Sequence, residues 1–252
     1  MLAPVITLLL GLLYLLFPRK VLSFSGLEAV EHAPHAIGEG RSSYAGILIA
    51  FGAGCLLLQE PALLQPGLNL MLAAAWLIAG FGVILQGLVD GITNFKVFGK
   101  FIIYCLLGAA ALSSAEPLAF NFRMPLTAEE YIVSFVALLT FVLGFISLFL
   151  PKLALKILKL RAKPDCLHGI SETRGLLAGF YVALGAAPIL LLDNYIAWLF
   201  ISIILAGTWA LTGIGRFISI IVDRGATLYN FAGVIFEIGI GILLLALLFG
   251  VI

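Results

Sequence analysis

The sequence predicts an all-α fold: a polytopic transmembrane helix bundle of eight helices, arranged as two parallel four-helix repeats. Three observations carry this prediction. Apolar residues fill 63% of the 252 positions and charged residues 11%, against about 25% charged in an ordinary soluble domain. Lys and Arg gather on one side of the apolar segments. The chain also matches itself, without a gap, at an offset of 133 positions.

The apolar excess runs the length of the chain, as expected where lipid is the solvent. Eight segments can be drawn, at roughly 2–17, 43–58, 70–89, 98–115, 131–150, 175–192, 195–222 and 230–250. Several are shorter than the ~20 residues that span a bilayer. The run at 2–17 lacks a preceding basic residue and a convincing small-x-small cleavage site, so it reads as a retained first helix rather than a signal peptide. Eight spans with the N-terminus outside put Arg19, Lys20, Arg41, Lys96, Lys100, Lys152, Lys156, Lys159, Arg161, Lys163, Arg174, Arg216 and Arg224 on or near the inner side. Only Arg123 falls outside, one of fourteen Lys and Arg. This is the positive-inside pattern, and it places both termini outside in a bacterial cytoplasmic (inner) membrane. Lys152, Lys156, Lys159 and Lys163 recur at helical spacing, with Leu and Ile between them. They suggest either an amphipathic surface helix against anionic lipid or the inner end of the fifth span.

The self-match superimposes residues that are rare in this composition. His35 falls on His168, Glu39 on Glu172, Arg41 on Arg174, Trp76 on Trp209 and Asp90 on Asp223. Gly80 and Gly82 fall on Gly213 and Gly215, and Gly108 falls on Gly241. The expected units are residues 1–128 and 129–252. With an even number of helices each, they point the same way, about a pseudo-twofold axis along the membrane normal. The pattern H-x-I-x-E-x-R, a Gly-rich helix, W-x3-G-x-G and a terminal Asp resembles the bacterial four-helix integral membrane domain of unknown function 4345. Glu172, Arg174, Gly175, Gly179, Gly213, Gly215, Arg216, Asp223 and Gly225 carry the fuller version. The first unit departs from it, with Val83 in place of Arg216 and Gly91 in place of Arg224. The resemblance implies a membrane fold and no particular activity.

Topology gathers the informative polar residues at the inner side. The cluster of the second unit is His168, Glu172, Arg174, Arg216, Asp223 and Glu237. Its counterpart in the first is His35, Glu39, Arg41, Gln86 and Asp90. An isolated ionised side chain in hydrocarbon costs at least ~2.5 kcal/mol, so these charges should pair. Arg216 and Glu237 match in depth on adjacent antiparallel helices and are expected to face each other. Arg174 with Asp223, and Arg41 with Asp90, are the next expected pairs. Glu39 and Glu172, just before their helices, suit the positive end of a helix dipole. One reading makes these residues anchors and interhelical locks. The other makes them a site that binds an anionic group or relays protons, with His35 and His168 titrating near neutrality.

No metal site is expected. His168 and Glu172 share a helical face but no HExxH follows. His32, His35, Glu28, Glu31 and Glu39 read as a polar loop. Cys55 and Cys105 read as small buried hydrophobes, and Cys166 belongs to no CxxC or zinc spacing. No cofactor is implied, and a net charge of +1 points to no nucleic-acid partner. Glycine pairs such as Gly175 and Gly179 offer flat faces for close helix packing. Three classes of function remain: a structural or accessory subunit of a membrane complex, with other membrane subunits as partners; a lipid-handling or proton-coupled transporter; and a membrane enzyme acting on a lipid-like substrate. No broken helix pair is visible to favour the transporter. For the enzyme, Glu237, Asp223 and His168 are the only acid–base candidates.

Overall fold

The computed structural model describes residues 2–31, 33, 35–58, 65–91, 95–115, 123–164, 166 and 168–251. The elements run α1 (Leu2–Leu16), α2 (Pro18–Phe24), β1 (Leu27–Ala29), α3 (Ala36–Leu57), α4 (Gln65–Asp90), α5 (Phe95–Leu112), α6 (Ala128–Phe149), α7 (Pro151–Ile157) and β2 (Leu160–Ala162). They continue as α8 (Gly169–Glu172), a π-helical stretch Thr173–Leu177, α9 (Ala178–Leu190), α10 (Tyr195–Val222) and α11 (Leu228–Leu248). Among the described residues, seven helices are long and apolar enough to cross a membrane, with α8, the π stretch and α9 forming one of them. The eighth expected span is the short α1, which bends by 115° into α2. The fold is an all-α polytopic bundle.

Side-chain caps mark where several spans begin. Thr127, Asn194 and Thr227 accept hydrogen bonds from the backbone N–H of Glu130, Ala197 and Asn230 at 3.2, 3.1 and 3.2 Å. Each satisfies one of the donors that a helix start leaves orphaned. Pro18 and Pro151 cannot continue the helix before them but suit the first turn of a new one. The short helices α2 and α7 therefore branch from α1 and α6.

Helices α3 and α8 begin earlier than expected, at Ala36 and Gly169. Glu39 and Arg41, with Glu172 and Arg174, therefore lie inside the membrane-spanning helices and not ahead of them. The basic segment 152–163 is not one helix. It turns out of α7 at Lys159, whose φ is 53°, and then extends as β2. Strand β2 pairs antiparallel with β1, and Arg161 stands opposite Glu28. The amphipathic helix ends after two turns because the backbone is needed for this ribbon.

The packing partners of the long helices are the main departure from expectation. Helix α3 packs on α1 and α10, and α10 on α11. Helix α9 packs on α6 and α4, and α4 on α5. The hairpin α4–α5 thus leans on helices from the far half of the sequence, and α10–α11 leans on helices from the near half. Small residues set these partners. A Cβ on Gly46 would sit 2.3 Å from Thr212 Oγ1, and one on Gly179 would sit 2.3 Å from the Ala75 carbonyl oxygen. Only a residue without a side chain lets α3 and α10, or α9 and α4, approach this closely.

Contacts recur between residues 133 positions apart. Trp76 Nε1 donates to Thr7 Oγ1 at 3.1 Å, and Trp209 Nε1 donates to Thr140 Oγ1 at 3.2 Å. Gly26 and Lys159 both have positive φ, as do Gly91 and Arg224. In the ribbon, Leu27 faces Ala162 and Ala29 faces Leu160.

Candidate functional site

The packing of α10 on α3 and of α4 on α9 decides which charges meet. Arg41 pairs with Asp223 at 2.9 Å and Arg174 with Asp90 at 3.2 Å. Both pairs cross between the halves of the chain, correcting the expected pairs Arg41–Asp90 and Arg174–Asp223. The physical reason is the packing above: the C-terminal end of α10 lies beside α3, and that of α4 beside α8. Ser219 donates to the same Asp223 oxygen at 2.7 Å, and Arg41 also reaches the Leu15 carbonyl.

Arg216 and Glu237 face each other, as helix depth suggests, but a third partner comes from α3. Arg216 Nε and Nη2 donate to Glu237 Oε2 and Oε1 at 2.9 and 2.6 Å. Nη1 and Nη2 donate to Glu39 Oε1 and Oε2 at 2.5 and 3.0 Å, and Nη1 also reaches Asn230 Oδ1 at 3.2 Å. All five guanidinium N–H groups are thereby used. Gly233 makes the room, since a Cβ there would stand 2.7 Å from Arg216 Nε. All three ionisable side chains are buried.

Glu172, the residue corresponding to Glu39, is held differently. Lys100 Nζ donates to its Oε2 at 2.6 Å and the Tyr14 hydroxyl to its Oε1 at 2.9 Å. Each buried glutamate therefore receives one cation, from α10 at Glu39 and from α5 at Glu172. Val83 stands where Arg216 would be, and Gly233 where Lys100 would be.

The two junctions also differ in what fills them. Around Glu172, Tyr14 stacks on Tyr44 at 4.8 Å, and Trp76 lies against Tyr104 and Phe180 at 5.2 and 5.1 Å. Around Glu39 the positions of Tyr14 and Tyr44 are taken by Ser147 and Leu177. A cavity of about 160 Å³ remains there, lined by the polar and aromatic residues Glu39, Arg216, Glu237, Tyr181, Tyr229, Thr208, Thr212 and Trp209 and by the apolar Leu143, Ile157 and Leu158. It adjoins a smaller space of about 60 Å³ bounded by Ser147, Ile146 and Leu177. The result is an amphipathic cavity with two carboxylates and three aromatic rings.

The remaining candidates stand apart from this cavity. His35 packs its ring on Tyr229 at 5.1 Å between centroids, just outside the cavity. His168 is buried beside Gly26. Burial, with Lys100 and Lys96 nearby, holds its pKa below the ordinary histidine range. Gln86 is buried on α4. Glu28 and Glu31 pair with Arg161 at 2.8 and 3.2 Å, in the open, and His32 lies outside the described residues. Among the described residues no three His, Cys, Asp or Glu side chains are grouped to hold a metal.

Sequence reasoning missed Asn230, Tyr229, Gly233 and the tyrosines around Glu172, and it counted Lys100 as a loop charge. The offset comparison held a signal for them. The cation lost at Val83 reappears at Lys100, and the one gained at Arg216 is accompanied by Gly233.

Fold and site define a multi-pass membrane protein with a buried polar centre on one side of its bundle. Its second half, residues 129–248, matches the family described as a domain of unknown function (DUF4345), the family that the H-x-I-x-E-x-R pattern resembles. No curated protein and no solved structure matches the chain.

Proposed function

We propose that this membrane protein binds a small amphiphilic molecule in the cavity beside Glu39, Arg216 and Glu237, placing it in the lipid-handling or transport class. The observation that carries this is the contrast between the two junctions. Aromatic side chains pack around Glu172, whereas a cavity lined by both polar and apolar side chains remains beside Glu39. Ligand sites combine apolar walls with a few placed polar groups in this way. The π-helical stretch Thr173–Leu177 lends support, because such bulges often mark working parts of helices. It interrupts the span where the sequence offered no broken helix.

Residues 1–128 and 129–252 are, in this reading, duplicated units that have exchanged their second hairpins. The recurring contacts at an offset of 133 support the duplication. The charged end faces the cytoplasm of a bacterium, with both termini outside the inner membrane, on the strength of the one-sided Lys and Arg. Lys152, Lys156 and Lys159, exposed around α7, meet anionic headgroups there. Lys163, directed to Ser23 Oγ at 2.6 Å, serves the ribbon as well.

Ser147→Tyr tests the binding reading, since it reproduces Tyr14 of the closed junction. Native mass spectrometry after gentle detergent extraction should show small-molecule adducts on the wild type and none on this variant, with thermal stability maintained or raised. Adducts that persist in the variant, or a wild type that carries none, would count against the cavity. Co-purifying protein subunits without a small molecule would favour an accessory role.

A further inference from the structure

We infer that the open junction exchanges a proton for a small organic monocation with an apolar body. This rests on the cavity being a binding site and names the class of its ligand.

The inference starts from charge. Two buried carboxylates, Glu39 and Glu237, share the single guanidinium of Arg216, whose five N–H groups are all engaged. The set carries one negative charge too many for its surroundings. An unbalanced carboxylate away from water takes up a proton rather than stay ionised, and two carboxylates close together seldom both ionise.

Among the described residues the neighbours do not supply the missing cation. From α9 the cavity receives Tyr181, and from α11 Tyr229, both neutral. Helices α6 and α7 contribute Leu143 and Ile157, and α10 adds Thr208 and Thr212 beside Arg216. Arg41 on α3 is committed to Asp223. His35 touches only the far side, through Tyr229.

A cation with an apolar body suits what remains. Its charge replaces the proton beside the carboxylates. Tyr181, Tyr229 and Trp209 line the cavity, and aromatic rings attract cations; Tyr229 already carries the Arg216 guanidinium over its ring at 5.8 Å. Leu143, Ile157 and Leu158 cover its apolar part. The step balances: one monocation enters, one proton leaves a carboxylic acid, and the net charge of the site is unchanged. The other junction carries no such excess, because Glu172 has Lys100 and its space is filled.

Benzyltrimethylammonium is a suitable probe, because its charge is permanent and any proton released must come from the protein. Titration calorimetry of the detergent-solubilised chain in phosphate and in Tris at equal pH reads binding and proton release together. Saturable binding with close to one proton released per cation is expected, tightening about tenfold per pH unit while the carboxylate holds its proton. Benzyl alcohol and benzoate should bind far more weakly. Glu237→Gln, which leaves a balanced Glu39–Arg216 pair, should abolish both cation binding and proton release. Ser147→Tyr should fill the space without changing the charge of the site, as Tyr14 does beside Glu172, and so abolish binding by a second route. Cation binding without proton release would overturn the exchange and leave the cavity reading standing. Equal binding of the alcohol or the anion would overturn the cationic class alone. No binding of the cation would overturn this inference, whereas the retained-ligand experiment judges the cavity independently.

Discussion

Arg216 is the residue on which the buried centre turns, because two carboxylates share its one guanidinium. Helix depth alone pairs it with Glu237, and on that basis Arg216→Met with Glu237→Leu should be tolerated better than either change alone. Glu39 alters that expectation. The double variant still strands a buried carboxylate, so Glu39→Gln is needed as well before the centre is uncharged. Breaking a buried ion pair from one side typically costs about 3–5 kcal/mol, while replacing the whole set by apolar groups is often neutral. Thermal melts in detergent should therefore rank Arg216→Met as the most damaging single change. Glu237→Gln should be near neutral, and the triple variant should recover most of the loss. An Arg216→Met protein that melts with the wild type would show that the three side chains are not coupled.

At the level of elements, two features shape the inner end of the molecule. One is the ribbon of β1 and β2, which ties α2 and α7 together through the bonds of Arg161 to Glu28 and Glu31. Those ion pairs are exposed and add little stability, since such surface bridges are worth about 0–1 kcal/mol. The ribbon is therefore a good reporter of orientation. A cysteine placed at Arg161, on a background lacking Cys55, Cys105 and Cys166, should react with a membrane-impermeant maleimide only after the inner face is opened. Labelling in intact cells from outside would invert the topology. The other feature is the set of close crossings. Gly82 lies so near the Arg174 carbonyl that a Cβ would stand 2.0 Å from its oxygen, and Gly215 lies beside the backbone of Ser42. These contacts pull α4 onto the Arg174 helix and α10 onto α3, and so bring each Asp to the arginine of the other half.

For the molecule as a whole, the packing of α4–α5 against α9 and of α10–α11 against α3 means that neither half of the sequence encloses its own polar centre. Residues 129–252 expressed alone would present α6 and α9 without α4–α5, and α10–α11 without α1 and α3. Two copies can satisfy each other, with Glu172 of one taking the place of Glu39 against Arg216 and Glu237 of its partner. The isolated half is thus expected as a homodimer by native mass spectrometry, and co-expressed halves should co-purify. A stable monomeric half would argue against the exchange.

Much of this was legible in the sequence because it depends on composition and local spacing. Apolar runs must find lipid, Lys and Arg gather on one side of them, and the rare Trp and His residues reveal the offset of 133. The depth match of Arg216 and Glu237 also follows from helix rise alone. Which helix lies beside which does not follow from spacing. That is set by backbone approach at Gly46, Gly82, Gly179 and Gly215, whose facing surfaces come from distant parts of the chain. Only the tertiary structure therefore decided that Arg41 meets Asp223 and that Glu39 completes the centre around Arg216. It also decided that one junction closes over aromatic rings while the other keeps a cavity. Each of these outcomes depends on side chains far apart in sequence competing for the same buried space.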